Sequence, residues 1–188
     1  SIILGIVQGF GEFLPISSTA HLVLVPYFFH WEDPGLAFDV ALHAGTLIAV
    51  IGYFWRDWIL IIKQLFNNEM KNENVEMKKY EKNIFWLLIV ATIPGVLAGY
   101  FLEEKAETVF RSPLLIAGTL FFFGLLLYLA DKYFSKQKDF RNITLVDSII
   151  IGICQAVAII PGVSRSGATI TAGLSRGMNR VDAAKFSF

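Results

Sequence analysis

Ser1-Ile2-Ile3-Leu4-Gly5-Ile6-Val7-Gln8-Gly9 returns late in the chain as Ser148-Ile149-Ile150-Ile151-Gly152-Ile153-Cys154-Gln155-Ala156, with six of the nine positions identical. Each copy is an apolar run too short to cross a bilayer core, which takes about 20 residues. Each then reaches a Pro and a cluster of hydroxyls, Pro15-Ile16-Ser17-Ser18-Thr19 in the first and Pro161-Gly162-Val163-Ser164-Arg165-Ser166 in the second. Short, Pro/Gly-interrupted apolar pieces at corresponding places in two halves predict broken, re-entrant helices built around an internal repeat.

The sequence between the copies gives the repeat its sense. Ile84–Leu102 and Pro113–Ala130 are uncharged and long enough to span, and Leu36–Ile62 is a third span carrying Asp39, His43, Arg56 and Asp57. Trp55 and Trp58 flank Arg56-Asp57, as expected where a helix meets the headgroups. If the first copy is a hairpin that returns to its own side, three crossings bring the second copy in from the opposite face. The expectation is an all-α integral membrane fold with inverted-topology repeats, re-entrant hairpins and transmembrane helices. It forms one domain, with repeat 1 over about residues 1–102 and an incomplete repeat 2 over about 113–188. The basic loops Lys63–Asn83 and Asp131–Asp147 lie on one side in this scheme and Glu103–Ser112 on the other, so the positive-inside rule makes the first two cytoplasmic. The mixed run Asn67–Lys82 is expected to be a solvated loop.

Composition agrees and excludes alternatives. Of 188 residues, 55% are hydrophobic and 17% charged, against about 25% charged in soluble domains. Sixteen basic and sixteen acidic residues balance, so no cationic excess points to nucleic acid. The single cysteine, Cys154, forms no internal disulfide and is expected to be a packed thiol. The chain opens at Ser1 without Met or a basic leader and ends at Phe188, and it is expected to be a piece of a longer membrane protein, cut at both ends.

Charge inside such segments asks for a reason, since an ionisable group at mid-membrane costs about 2.5–3.5 kcal/mol on insertion scales. Gln8 and Glu12 are four apart and share one helix face. Ser17 and Ser18 follow Pro15, one of them serving as an N-cap. His21 lies one turn past Ser18, within reach of a hydroxyl as base or acid. In the second copy, Ser164, Arg165, Ser166 and Thr169 open a helix whose N-terminus, with the Arg165 fork, suits phosphate oxygens. His43 and Asp39 sit at the head of a span and could line the site, but a structural hydrogen bond is the expectation. Together the clusters suit a phosphate-bearing amphiphile, with Mg²⁺ or Ca²⁺ bridging Glu12 and phosphate.

At these residues the chain resembles a known family, the undecaprenyl-diphosphate phosphatases of bacteria. The matching stretches are Gln8–His21, Asp39-Val40-Ala41-Leu42-His43-Ala44-Gly45-Thr46 and Pro161–Thr169. The resemblance implies a multi-pass enzyme of the bacterial plasma (inner) membrane that removes the terminal phosphate of a C55 polyprenyl diphosphate, recycling the carrier for cell-wall synthesis, with a link to bacitracin resistance. It implies catalytic roles for Glu12, Ser18, His21 and Arg165, and a divalent cation (Mg²⁺ or Ca²⁺) on Glu12. Substrate binding falls to Gln8, Ser17, Ser164, Ser166 and Thr169. The family's first acidic position is Glu or Gln; here it is Gln8, which leaves Glu12 as the main acidic ligand. In the expected mechanism Ser18, or a water it places, attacks phosphorus while His21 handles the proton. Expected partners are the lipid substrate, surrounding lipids and a second copy in a homodimer. The alternative function is a polyprenyl-phosphate transporter or flippase on the same architecture.

Overall fold

The computed structural model describes residues 2–66, 83–107, 110, 112–134 and 137–188. The charges of Lys71, Lys78, Lys79, Lys82, Lys136 and Arg111, and the Lys105 side chain, lie outside the described residues, as does the loop at 67–82.

All the regular elements described are helical: α1 (Ile2–Phe13), α2 (Ser18–Phe29), α3 (Leu36–Phe66), α4 (Ile84–Glu107), α5 (Pro113–Tyr133), a 3-10 turn at Phe140–Asn142, α6 (Leu145–Val157), α7 (Arg165–Ser175) and α8 (Arg180–Ser187). Three are long and apolar enough to cross a membrane, at Leu36–Leu65, Ile84–Leu102 and Pro113–Tyr133, as the sequence predicts. Their outward aromatic and aliphatic side chains, Tyr53, Tyr100, Leu114 and Phe121 among them, are exposed. In water such a surface would associate; facing hydrocarbon it is the expected finish.

The remaining apolar helices, α1, α2 and α6, are shorter. α6 begins three residues before the repeat does. A capping box explains this: Thr144 accepts from the Asp147 amide while the Asp147 carboxylate accepts from the Thr144 amide, satisfying two first-turn donors. Asp147, expected in a loop, is thereby the third helical residue and fully buried. Its carboxylate also takes Lys138 and Arg176, tying the segment before α6 to the end of α7. Burial by itself would raise the carboxyl, but the bonds from Lys138, Thr144 and Arg176 outweigh it and bring it down to about 2.

Small residues bring the backbones together where the helices cross. A Cβ at Gly152 of α6 would stand 2.7 Å from the Ala91 carbonyl oxygen of α4, and one at Gly95 would stand 2.7 Å from the Gln155 amide. Without hydrophobic pressure between helices in lipid, close backbone approach supplies the association. Around this crossing Ile84, Leu87, Ile151, Leu174 and Met178 form the main buried cluster, with Cys154 packed against it.

The two short helix pairs carry the same local device. The offset that aligns Ser1 with Ser148 also aligns Ser17 with Ser164. Both are N-caps in the left-handed region, at φ 67° and 57°, and their hydroxyls accept from Ala20 N and Gly167 N. Non-glycine residues rarely hold this conformation, and the cap hydrogen bonds help keep it. The same offset places Ser18 and Arg165 as the first residue of α2 and of α7.

Candidate active site

Glu12, one residue before the end of α1, is where the two halves meet. Its Oε1 accepts from the Arg165 guanidinium at 2.7 Å, across 153 residues of sequence. Its Oε2 accepts from the Ser18 hydroxyl at 2.7 Å and from the Gln8 amide at 3.1 Å. The first residues of α2 and α7 thus converge on one carboxylate, whose side chain is 12% exposed.

Two further features hold them there. Gly11 lets the α2 backbone close on α1: a Cβ at that position would stand 2.9 Å from Ser18 Cα. Ser17 joins the turns, its hydroxyl accepting from the Gly162 amide at 3.2 Å. On the far side Thr119 of α5 donates to the Pro161 carbonyl at 2.7 Å, and Gly162, at φ 93°, lies against Thr119 so closely that no Cβ fits.

A cavity of about 180 Å³ opens at the junction, lined by Gly11, Glu12, Ser17, Ser18, Thr19, His43, Ala158, Ser164, Arg165 and Ser166. Both helix N-termini border it. First-turn N–H groups have no partner within their helix, so the cavity is edged by two positive dipole ends, with Arg165 adding a full charge. One anion of phosphate size is the natural complement.

The expected site residues divide in this geometry. Glu12, Ser17, Ser18, Ser164, Arg165 and Ser166 all line the cavity. Gln8, His21 and Thr169 do not. Gln8 is buried behind Glu12 and orients it. Thr169 is buried inside α7, bonded to the Arg165 and Ser166 carbonyls and to the Ser187 hydroxyl at 2.6 Å, so it fixes α7 against α8. His21 donates from Nδ1 to the Ser17 carbonyl at 2.8 Å, bracing the cap.

The imidazole at the carboxylate is His43 of α3. Its expected structural bond is present, Nδ1 to the Asp39 carbonyl at 2.7 Å. A carbonyl only accepts, so Nδ1 carries the hydrogen, and Nε2, 3.5 Å from Glu12 Oε2, is the other face of the ring. Sequence spacing alone paired His21 with Ser18. The sequence signal for His43 is weaker: an imidazole at the head of a long apolar span, four residues after Asp39, where it could line the site.

For a cation the donors are few. Among the described residues no three His, Cys, Asp or Glu side chains gather closely enough to hold a metal. Glu12 already accepts at both oxygens. A hard ion at Glu12 would therefore have to take most of its ligands from outside the described side chains.

Comparison with known proteins bears on the same residues. The sequence matches the family described as "Bacitracin resistance protein BacA" over residues 1–188. It is 56% identical over 188 residues to a protein of Moorella thermoacetica named undecaprenyl-diphosphatase, aligning all of this chain with 69% of that protein. Identity is 52% to proteins of the same name from Pelotomaculum thermopropionicum and Desulforudis audaxviator, again over all of this chain and 68% and 69% of theirs. With a match that spans both serine-capped turns and the α3 histidine between them, the chain belongs to the BacA family.

Proposed function

We propose that the chain hydrolyses undecaprenyl diphosphate to undecaprenyl phosphate and inorganic phosphate. The observation that carries this reading is the pair of 2.7 Å bonds from Ser18 and Arg165 to the two oxygens of Glu12, at the meeting of two helix N-termini. A hydroxyl already bonded to a carboxylate beside a guanidinium supplies a nucleophile, its base and a charge clamp in one place.

In this mechanism the terminal phosphate sits in the cavity against Arg165, the Ser164–Ser166 turn and the Ser18–Thr19 end of α2. Ser18 Oγ, or a water it places, attacks the terminal phosphorus, and the bond from phosphorus to the bridging oxygen breaks. Polyprenyl phosphate leaves, and the proton of the nucleophile passes to Glu12 Oε2. His43 Nε2, facing the same oxygen, is the next proton carrier; His21 keeps the Ser17 cap and hence the position of Ser18. When Ser18 is the nucleophile, water then splits the phosphoserine to phosphate and free Ser18. Mg²⁺ or Ca²⁺, held by Glu12 together with phosphate oxygens, would supply charge neutralisation. The setting is the bacterial inner membrane, with α3, α4 and α5 crossing and the two short pairs entering from opposite faces as inverted repeats. A homodimer within that membrane belongs to the same reading.

A transporter of polyprenyl phosphate would use the Arg165 clamp but has no need of Ser18 bonded to Glu12. Phosphate release from a C55 diphosphate by the purified protein, with Mg²⁺ or Ca²⁺ present, decides between them. Wild type is expected to release phosphate and Ser18→Ala, Glu12→Gln and Arg165→Ala to lose it. No release by wild type overturns the hydrolase reading; full activity in the variants overturns the site.

A further inference from the structure

A second cavity of about 400 Å³ opens from the first. It shares Glu12, His43 and Arg165 with the phosphate-sized cavity, and its other walls are Val40, Ala44, Leu47 and Val50 of α3, with Thr46 and Phe188. Val40, Ala44, Leu47 and Val50 lie three or four residues apart, so they make one stripe along about 15 Å of helix. Val50 is 7% exposed and forms the floor, while Val40 and Leu47, at 58% and 57%, are open rims. Phe188 closes one side, its ring tilted against Phe13 at 6.0 Å between ring centres. One polar end and one wholly aliphatic track form a continuous amphiphilic groove.

We infer that this α3 stripe holds the isoprene units next to the diphosphate, laying the first part of the prenyl tail along Val40, Ala44, Leu47 and Val50. The inference rests on the hydrolase reading for the identity of the headgroup. The occupant follows from continuity: a ligand whose terminal phosphate meets Arg165 leaves the cavity past His43, and the next surface it meets is aliphatic. A free phosphate would make no use of the track, whereas a branched hydrocarbon chain buries against it. Ala44, one residue from His43, is exposed on the stripe, and the small side chain there leaves room for the first units.

Two measurements test it. A non-hydrolysable polyprenyl bisphosphonate with a photoreactive group in its first isoprene units, irradiated with the protein in lipid vesicles, is expected to label α3 between Val40 and Val50. Labelling confined to other helices, or a pattern that free excess substrate analogue fails to displace, overturns the track. Independently, Ala44→Phe is expected to lower kcat/KM for a long-chain diphosphate by at least about tenfold. Turnover of methyl diphosphate, which carries no isoprene unit to lie on the stripe, should stay within about twofold of wild type. Leu47→Ala should raise KM for the long chain with kcat kept, and it tests the same stripe where the larger substitution disturbs folding. Equal loss on long and short substrates would overturn the inference. Labelling of α3 by the probe with no phosphate release from any diphosphate would instead overturn the hydrolase reading and leave the track standing.

Discussion

Glu12 accepts from three different side chains, Ser18, Gln8 and Arg165, which makes its neighbours separable by experiment. Ser18→Ala removes the hydroxyl at 2.7 Å and is expected to lower kcat by about 10³-fold or more. Arg165→Ala, losing a charge clamp rather than a nucleophile, is expected to cost about 10²–10³-fold, with partial recovery in Arg165→Lys, which keeps the charge but not the fork. The two histidines separate differently. His43→Gln is expected to lower kcat with KM held, since its Nε2 faces the reacting carboxylate; His21→Gln should act through the Ser17 cap and lower thermal stability along with kcat. Steady-state kinetics and melting curves on the same preparations distinguish these outcomes. Most of this site was legible in the sequence because charge in an apolar helix is conspicuous, as with Glu12 and Arg165. His43 was legible as a residue at the head of a span that could line the site, with a structural bond the preferred reading. Its approach to Glu12 depends on how α3 leans against α1, a tertiary fact that no local spacing encodes.

The helices are held at their crossings by absent side chains and at their ends by caps, and each has its own signature. Gly11→Ala would force a methyl to 2.9 Å from Ser18 Cα, so α2 must move away from α1. The expected result is a loss of about 1–3 kcal/mol in stability with a larger proportional loss of activity, read from melting and phosphate release together. Asp147 gives a pH signature. Its folded carboxyl, brought to about 2, titrates below the ordinary value of 3.8, so its contribution is complete above pH 4 and fades as pH falls toward 2. Wild type is therefore expected to lose melting temperature between pH 4 and 2 more steeply than Asp147→Asn, and a parallel decline in both would refute the clamp. Apolar run length located α3, α4 and α5 almost to their ends, because lipid demands unbroken apolar sequence. It set α6 too late, because a buried Asp reads as a loop residue until its partners Lys138, Thr144 and Arg176 are seen around it.

At the scale of the whole molecule, the exposed apolar belt of α3, α4 and α5 fixes what surrounds the chain, and the loop between α5 and α6 tests how it is oriented. A cysteine at the exposed Gln137, in a Cys154→Ser background, is expected to be labelled by a membrane-impermeant reagent only from the cytoplasmic face; labelling from outside would invert the topology. The repeat was visible in sequence as a returning Ser-Ile-Ile phrase, yet the shared left-handed serine caps at Ser17 and Ser164 were not, since conformation at a turn is set by contacts such as Gly162 with Ser17 and Gly167 with Ser164. The 153 residues between Glu12 and Arg165 also have a meaning in time. At about 5–20 residues per second of synthesis, the carboxylate is made roughly 8–30 s before its guanidinium exists. Through that interval the bonds its own hairpin offers are those from Ser18 and Gln8. The nascent chain thus carries, beside its reactive acid, the two neutral donors that let that acid wait in the membrane for its partner to be translated.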